Sequence, residues 1–460
     1  MIKKTFSSIL TALFIPCLIS AQSIDFSADI QTKWAAGAPW LENDSTKGRF
    51  LIGDTSFDGK VQAYYGNSSA MTEGQVSYNA LLNQVDFSLK ELWLDYTSSF
   101  WGLRIGRQKT SWGKADGIDI TNVICPTDMS SFSAMASDDS SMAIDALRLS
   151  FTGNNISLDA YWIPFFTPSR LPVDQNNLLR KFIIPQSVTI PIQTESISTS
   201  VEAPILIDSF EQPEIAIWNG EYALKLSAYL SALDFSLYGF YGWDDIPLLD
   251  YTLSYSAPTE SMPYSLPKDI TVSGTYKRMG MIGADAALPI KETVLRVEAA
   301  FFPMRHFQKS SESIMEQKQN FPLEDTETSE QRNELAALAG LDWMPEGWTM
   351  TAQYYCDFVF GNLDSLKRSD MLTHLATLSI SKSLLAETLE ISLSGVVSFN
   401  DLDFLINPSV NYKLSDQINL EGGALLFFEG PDCEGGINCK GDYGKYKDLS
   451  SFYINAKFCF

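Results

Sequence analysis

Alternation of apolar and polar residues with a period of two is the dominant pattern of the chain beyond residue 22. At the C-terminus, one face carries Phe452, Ile454, Ala456, Phe458 and Phe460, and the other carries Ser451, Tyr453, Asn455, Lys457 and Cys459. The same division recurs within residues 222–230, 295–301 and 388–399. This period predicts β-strands. Strands with one apolar and one polar face suit either a soluble antiparallel sheet or a barrel in a membrane.

The lengths of the connections between these segments favour the barrel. Long connections at 113–141, 165–218, 244–270, 304–333 and 429–449 alternate with short turns near 97–100, 153–154, 231–232 and 344–347. Barrels of the bacterial outer membrane have this arrangement, with short periplasmic turns and long extracellular loops. The connection near Asn400 and Asp401 is the one short turn that this scheme places on the side of the long loops.

Aromatic residues collect near the ends of the predicted strands. One set lies toward the long loops: Tyr64, Tyr65, Trp112, Tyr161, Trp162, Tyr241, Trp243, Phe301, Phe302, Tyr354, Tyr355, Phe427 and Phe428. A second set flanks the short turns: Tyr96, Trp101, Trp343 and Trp348. Aromatic rings favour the two interfaces of a membrane, so two sets indicate two belts. Any single one of these residues could equally lie in a soluble core.

Seventeen strand candidates begin near residues 24, 47, 85, 101, 142, 155, 219, 233, 271, 293, 334, 348, 371, 387, 402, 417 and 450. A barrel with both chain ends on one side needs an even number. Dividing the long segment 47–66 at Asp58-Gly59, a hairpin signal, gives eighteen strands, and omitting the first candidate gives sixteen. We therefore predict an all-β fold, a single transmembrane antiparallel up-and-down β-barrel of eighteen strands over residues 22–460, with sixteen as the alternative.

The N-terminus predicts export. Met1–Lys4 is a short positive region, residues 5–20 are largely apolar, and cleavage after Ala21 would complete a signal peptide over residues 1–21. An uncleaved anchor is the alternative, although the apolar run is short for a bilayer. We expect the mature protein in the outer membrane of a diderm bacterium, in contact with its lipid. In that compartment Cys433 and Cys439 are candidates for a disulfide, and a metal site there is the weaker interpretation.

Charge and composition exclude several functions. The chain has 33 Lys and Arg against 56 Asp and Glu, a net charge of −23, so no basic stripe is available for nucleic acid. Charged residues are only 19% of the total, which fits strands whose lipid-facing positions exclude charge. The two histidines, His306 and His374, and the lack of G-x-S-x-G, P-loop and H-E-x-x-H motifs argue against an enzyme. We predict no enzymatic activity, no cofactor and no metal.

A series of motifs resembles a known family. It comprises Leu89–Tyr96, then Leu103-Arg104-Ile105-Gly106-Arg107-Gln108 with Trp112-Gly113, then Asn122-Val123-Ile124-Cys125-Pro126-Thr127-Asp128, and lastly residues 162–172. This series is similar to porin-like outer-membrane barrels related to the alginate-export type, over about residues 85–172. The resemblance implies an outer-membrane channel and does not identify its solute. Separately, the end of the chain at Phe460 resembles the strand that the barrel-assembly machinery recognises.

Several charged or polar residues are candidates to line a pore: Glu91, Asp95, Arg104, Arg107, Gln108, Lys109, Arg148, Arg296 and Glu298. Glu91 and Asp95 share one strand face, as do Arg104 and Gln108 on the next strand, so they could pair across the hairpin. Arg107 and Lys109 lie on the alternate face, unless Gly106 changes the register. These residues could form a constriction that orients solutes, or a structural network that stiffens the wall.

Two long loops leave alternatives open. Loop 113–141 carries Asp116, Asp119, Asp128, Asp138 and Asp139, which favours a solvated or inward-folded loop over a Ca²⁺ site because no EF-hand spacing occurs. Loop 165–218 could fold into the lumen or cover its mouth.

The first function that we predict is a channel for diffusion or export of small hydrophilic or amphipathic solutes. An adhesin or interaction protein that uses the long loops is the alternative, and a soluble exported β-sandwich or lectin is the third. The acidic excess predicts that the channel favours cations over anions, unless the charges near Arg104 dominate its constriction. The solute and the oligomeric state stay open.

Overall fold

The computed structural model describes residues 21–115, 117–132, 140–174, 177–184, 186–193, 198–257, 265–311, 313–314, 317, 327–431 and 441–460. The predicted signal peptide lies almost entirely outside the described residues, as do Cys433 and Cys439. The predictions of cleavage and of a disulfide therefore stay predictions.

One antiparallel sheet of eighteen strands dominates the described part of the chain. Its strands are β1 Ser23–Gly37, β2 Phe50–Tyr65, β3 Ser68–Asn79, β4 Gln84–Thr97, β5 Trp101–Gln108, β6 Ile144–Thr152, β7 Ile156–Ile163, β10 Glu221–Tyr229, β11 Asp234–Trp243, β14 Arg278–Ile290, β15 Thr293–Gln308, β16 Ser329–Trp343, β17 Trp348–Val359, β18 Leu372–Leu384, β19 Leu389–Ser398, β20 Phe404–Lys413, β21 Ile418–Phe428 and β22 Ser451–Cys459. The last strand pairs with the first, with Phe458 opposite Ile30 and Ile454 opposite Trp34. The sheet is therefore a closed barrel, and the predicted fold class is confirmed.

Alternation along the strands gives the barrel an apolar outer surface. On β14, Ile282 points outward and is 68% exposed, whereas its neighbour Met281 points inward and is 1% exposed. On β1, Ile30 and Trp34 are exposed outside, while Gln31 and Lys33 line a cavity inside. Large apolar side chains on the outside of a closed sheet are what a lipid-facing wall requires.

The strand count of eighteen is correct, but the eighteenth strand is not where the sequence placed it. Asp58 and Gly59 lie in the middle of β2, paired with Asp29 and Ala28. The additional strand is β3, and it adds a second short connection, residues 80–83, at the end of the barrel that carries the long loops. We call this end the outer mouth. The prediction that 400–401 is its one short turn was therefore wrong.

Two of the predicted loops contain a second sheet. It consists of β8 Ser187–Gln193, β9 Ser198–Glu211, β12 Leu248–Tyr255 and β13 Pro267–Thr275, and it joins the two loops by parallel pairing of β9 with β13. Ile184, Ile205 and Val272 form its small buried core. Short helical turns lie at α1 Arg180–Ile183, at Ile217–Asn219 and at Gly444–Leu449.

Among the described residues, none of the helices is long and apolar enough to cross a membrane.

The prediction of two aromatic belts is confirmed for some residues and wrong for others. Tyr241 and Tyr354 point outward near the outer mouth, as predicted. Tyr65 also points outward, but it lies at the short-turn end because β2 runs toward the turn at 66–67. Trp112 and Tyr161 are not in a belt, because both are buried inside the barrel. Adjacent aromatics on one strand therefore divide between lipid and lumen.

Candidate functional site in the barrel lumen

The connection between β5 and β6 enters the barrel. Its residues 112–115 and 117–125, here called the inward segment, pack against the inner wall. The Trp112 ring lies 4.9 Å from the ring of Tyr238 and 6.1 Å from that of Tyr161, measured between centroids. Ile120 and Ile124 are each 3% exposed. Of the two outcomes left open for loop 113–141, the inward fold is observed for the described residues of the inward segment, while Asp116, Asp138 and Asp139 lie outside the described residues.

A hydrophobic core inside the barrel holds this segment. Besides the inward segment it draws on Ile144, Ala146, Tyr161, Ile163, Ala223, Tyr238, Phe240, Met279, Met281, Ala300, Phe302, Ala336 and Leu338. These residues lie on the inner face of consecutive barrel strands from β6 to β16. Burial of this apolar surface stabilises the segment against the wall. One sector of the lumen is therefore filled by protein.

Glu298 anchors the inward segment through its carboxylate. The backbone N–H groups of Lys114 and Ala115 donate to Oε2 at 2.8 and 3.0 Å. The N–H and the hydroxyl of Thr121 donate to Oε1 at 2.8 and 2.7 Å. Glu298 is 3% exposed, so four hydrogen bonds satisfy a buried charge.

Gly113 allows this close approach. Its φ is +87°, and a Cβ atom there would lie 2.6 Å from both carboxylate oxygens of Glu298. The N–H of Gly113 also donates to the Tyr238 hydroxyl at 3.1 Å, and that hydroxyl donates to Asp285. Any other residue at 113 would combine an unfavourable backbone conformation with a steric clash.

Arg296 holds the same segment from the neighbouring wall position. Its Nη1 donates to the Lys114 carbonyl at 2.9 Å, and its Nη2 is paired with Asp342. Arg296 and Glu298 were predicted as pore-lining residues. In the structure Glu298 is buried beneath the inward segment, and both side chains act on that segment.

The β4–β5 hairpin contains the predicted pair between strands. The Arg104 Nε donates to Asp95 Oδ1 at 2.8 Å, and the guanidinium lies 3.9 Å from the centre of the Trp93 ring. Arg148 on β6 lies directly opposite Arg104 and is 3.8 Å from Asp159. Each arginine thus has its own carboxylate, which offsets the repulsion between them.

Residues after Gly106 depart from simple alternation. Gly106 has a φ of 128°, and both Arg107 and Lys109 line the open part of the lumen. Gln108 is fully buried and donates to the carbonyls of Gly106 and Ala146. Glu91 accepts the indole N–H of Trp93 at 2.7 Å and the N–H of Lys109 at 3.2 Å. Glu91 therefore pairs with neither Arg104 nor Gln108.

An open cavity of about 480 Å³ occupies the other sector of the lumen, beside β1 to β5. Serine, glutamine and asparagine side chains supply much of its surface. Its charged residues are the cations Lys33, Lys90, Arg107, Lys109 and Arg170 and the acids Asp54, Asp86 and Asp128. Cations therefore outnumber acids on this surface, in a chain whose overall balance is the reverse.

Two cations of the cavity surface are paired with acidic residues that are not among the lining residues. Lys90 is 2.9 Å from Asp58, and Arg107 is 3.5 Å from Asp145, but neither acid lines the cavity. Lys90 could not be identified from simple alternation, because it is the extra residue where the β3–β4 pairing shifts register. Lys33, on the polar face of a predicted strand, was visible in the pattern but was not singled out.

Each of the two histidines has hydrogen-bond partners on the neighbouring strand. His306 Nδ1 lies 3.2 Å from Ser329 Oγ, but its Nε2 contacts the Gln331 amide and not a carboxylate. His374 Nδ1 lies 2.9 Å from the Tyr354 hydroxyl. Among the described residues, no group of three His, Cys, Asp or Glu side chains is placed to hold a metal ion.

Solved structures share this architecture. OccAB4 of Acinetobacter baumannii matches with a TM-score of 0.52 and 8% sequence identity, covering 96% of this chain and 98% of that chain. OccAB1 of Acinetobacter baumannii matches with a TM-score of 0.51 and 9% identity, covering 96% and 97%. At such low identity these likenesses show the fold alone.

A search of curated proteins gives no match. A family model does match, over residues 46–419, which is most of the barrel. The chain therefore belongs to the family described as "Protein of unknown function (DUF1302)".

Proposed function

We propose that the protein is an outer-membrane channel through which small hydrophilic or amphipathic solutes diffuse or are exported, without enzymatic activity. The observation that carries the proposal is the polar cavity of about 480 Å³ that the inward segment leaves open within a closed apolar-walled barrel. Barrels of sixteen to eighteen strands leave room for an aqueous path, whereas those of about eight are filled by their own side chains.

The placement in the outer membrane is part of the same proposal. Both described chain ends lie at the short-turn end of the barrel, which fits a periplasmic side. Phe460 exchanges backbone hydrogen bonds of 2.9 Å with Ala28, so the last strand completes the closure of the barrel. The relation to the alginate-export type, carried by the motifs of residues 85–172, is proposed for the architecture only.

Single-channel recording in planar bilayers tests the channel. The refolded, heat-modifiable protein is expected to give discrete conductance steps, and the same preparation unfolded by boiling is the control. If protein with the gel mobility of a closed barrel produces no steps, the channel proposal fails.

The sheet of β8, β9, β12 and β13 favours a second candidate, an interaction surface at the outer mouth. Its residues include the exposed Leu206 and Tyr255. Whole-cell binding assays, with and without residues 186–215, would separate the candidates. An interaction protein loses its partner, whereas a channel retains its conductance steps.

The cationic surface of the cavity predicts how removal of its positive charges changes the ion selectivity of the channel. The double variant Lys90→Gln, Arg107→Gln is expected to raise the cation-to-anion permeability ratio roughly two-fold, because it removes positive charge from the cavity surface. The reversal potential in a KCl gradient measures this ratio. Lys382→Gln is the control, since Lys382 lies over the Trp348 ring at the short-turn rim. An unchanged reversal potential would place the ion path elsewhere.

A further inference from the structure

Two outer loops meet beside the open cavity. Residues 127–129, in the loop that contains the inward segment, pair with Arg170 in the loop after β7. The Arg170 N–H donates to the Thr127 carbonyl at 3.0 Å, and the Met129 N–H donates to the Arg170 carbonyl at 2.9 Å. The side chains of Asp128 and Arg170 are 3.4 Å apart, and both line the cavity. This contact is therefore part of the cavity wall.

A third loop joins the same contact through Ser169. The Ser169 hydroxyl accepts the Thr127 N–H at 2.9 Å and donates to Asp245, which follows β11. The Ser169 N–H donates to the Asp245 carbonyl at 3.1 Å. Ser169 is 5% exposed, so little water competes for these bonds. We call Thr127, Asp128, Ser169, Arg170 and Asp245 the latch.

We propose that the latch is a gate at the outer mouth, which narrows the path beside the cavity when its bonds are made and which acidification holds closed. The proposal rests on the channel function. The latch contacts are hydrogen bonds and one ion pair, while the same loops are anchored nearby by the buried side chains of Phe132, Phe166 and Leu179. The latch bonds can therefore exchange for bonds to water while these anchors keep the loops on the barrel.

The pH dependence follows from the surroundings of Asp245. Burial is the main cause that raises the pKa of Asp245 to about 6, and the neighbouring Asp244 carboxylate raises it further. The Ser169 hydroxyl and Arg305 act in the opposite direction. Glu221 and Tyr276 also face this carboxyl group.

The sign of the effect is set by linkage. In a separated latch, Asp245 would regain solvent and an ordinary pKa near 3.8. The closed latch then binds the proton more tightly, so lowering the pH through 6 favours the closed state and raising the pH favours opening. Between pH 8 and pH 5, these two pKa values correspond to a change of roughly ten-fold in the closed-to-open ratio.

A reversible cross-link tests the gate. Asp128 and Arg170 form an isolated β-bridge, so their backbones are adjacent. Cysteines in the double variant Asp128→Cys, Arg170→Cys are therefore placed to form a disulfide. Oxidised protein is expected to keep a small conductance at pH 5 and pH 8. After reduction, the conductance at pH 8 is expected to increase. The wild type and both single variants, treated with the same oxidant and reductant, control for the native cysteines.

Two substitutions test the proton linkage. Asp245→Asn keeps an acceptor for Ser169 but cannot ionise, so the variant is expected to stay closed at pH 8, where the wild type opens. Ser169→Ala removes the shared hydroxyl and is expected to open the channel at pH 5. Conductance steps that depend on neither the cross-link nor the pH would overturn the gate and leave the channel intact. Absence of steps in every folded variant would instead overturn the channel.

Discussion

Glu298→Ala is expected to release the inward segment and to raise the single-channel conductance about two-fold or more, because the filled sector of the lumen opens to water. The variant leaves the N–H groups of Lys114, Ala115 and Thr121 without their acceptor. Buried donors without partners cost about 1–3 kcal/mol each, and three such N–H groups oppose the apolar burial that holds the segment. Conductance in planar bilayers and protease cleavage between residues 112 and 125 are the two measurements.

Glu421→Ala is the matched control for this variant. Glu421 is also an inward carboxylate, but it accepts from Tyr453 and Asn455 on the far wall and does not touch the inward segment. We expect its conductance to stay close to that of the wild type. If Glu298→Ala retains the wild-type conductance and resists protease, the carboxylate does not anchor the segment.

Trp112→Ala is expected to weaken the same attachment from its apolar side. Trp112 is 4% exposed and packs against Tyr238 and Tyr161. Truncation of a buried aromatic costs about 3–5 kcal/mol. We expect noisier, larger conductance steps and faster hydrogen exchange in residues 117–125, while the barrel keeps its heat-modifiable mobility.

Trp348→Ala supplies the comparison, since Trp348 is 39% exposed on the outer wall. It should reduce barrel stability slightly and leave the conductance steps unchanged. Equal effects of the two tryptophan variants on conductance would mean that Trp112 contributes only to general stability.

Much of the barrel was predictable because each strand shows its lipid-facing and lumen-facing positions in its own sequence. Strands such as β22 and β19 show their two faces in consecutive residues, and lipid imposes an apolar residue at every second position. The strand β3 was missed because its outward positions include Thr72 and Gly74, which carry little apolar signal. At Asp58-Gly59 the turn signal was overridden by continuous pairing with β1 on one side and β3 on the other.

The contents of the lumen depend on contacts that no local pattern reveals. Glu298 and Thr121 are 177 positions apart in the chain. The position of Trp112 at the end of a strand, beside a loop, is typical of an interfacial residue. Its burial depends on packing against Tyr238 of β11, which is distant in the sequence. The alternative register at Gly106 could be stated from the sequence, because glycine permits a backbone that other residues avoid. Its outcome required the structure.

The hydrophobic core inside the barrel also bears on how the protein is made. Every strand that contributes to it lies in the unbroken series from β6 to β16, and the strands of the β1–β22 seam contribute none of its buried residues. An open sheet of the middle strands can therefore enclose the inward segment before the two ends of the chain meet. The filled sector of the lumen would then form first, while the apolar contacts of Phe132 and Leu179 with the strands beside the seam would form when the seam closes.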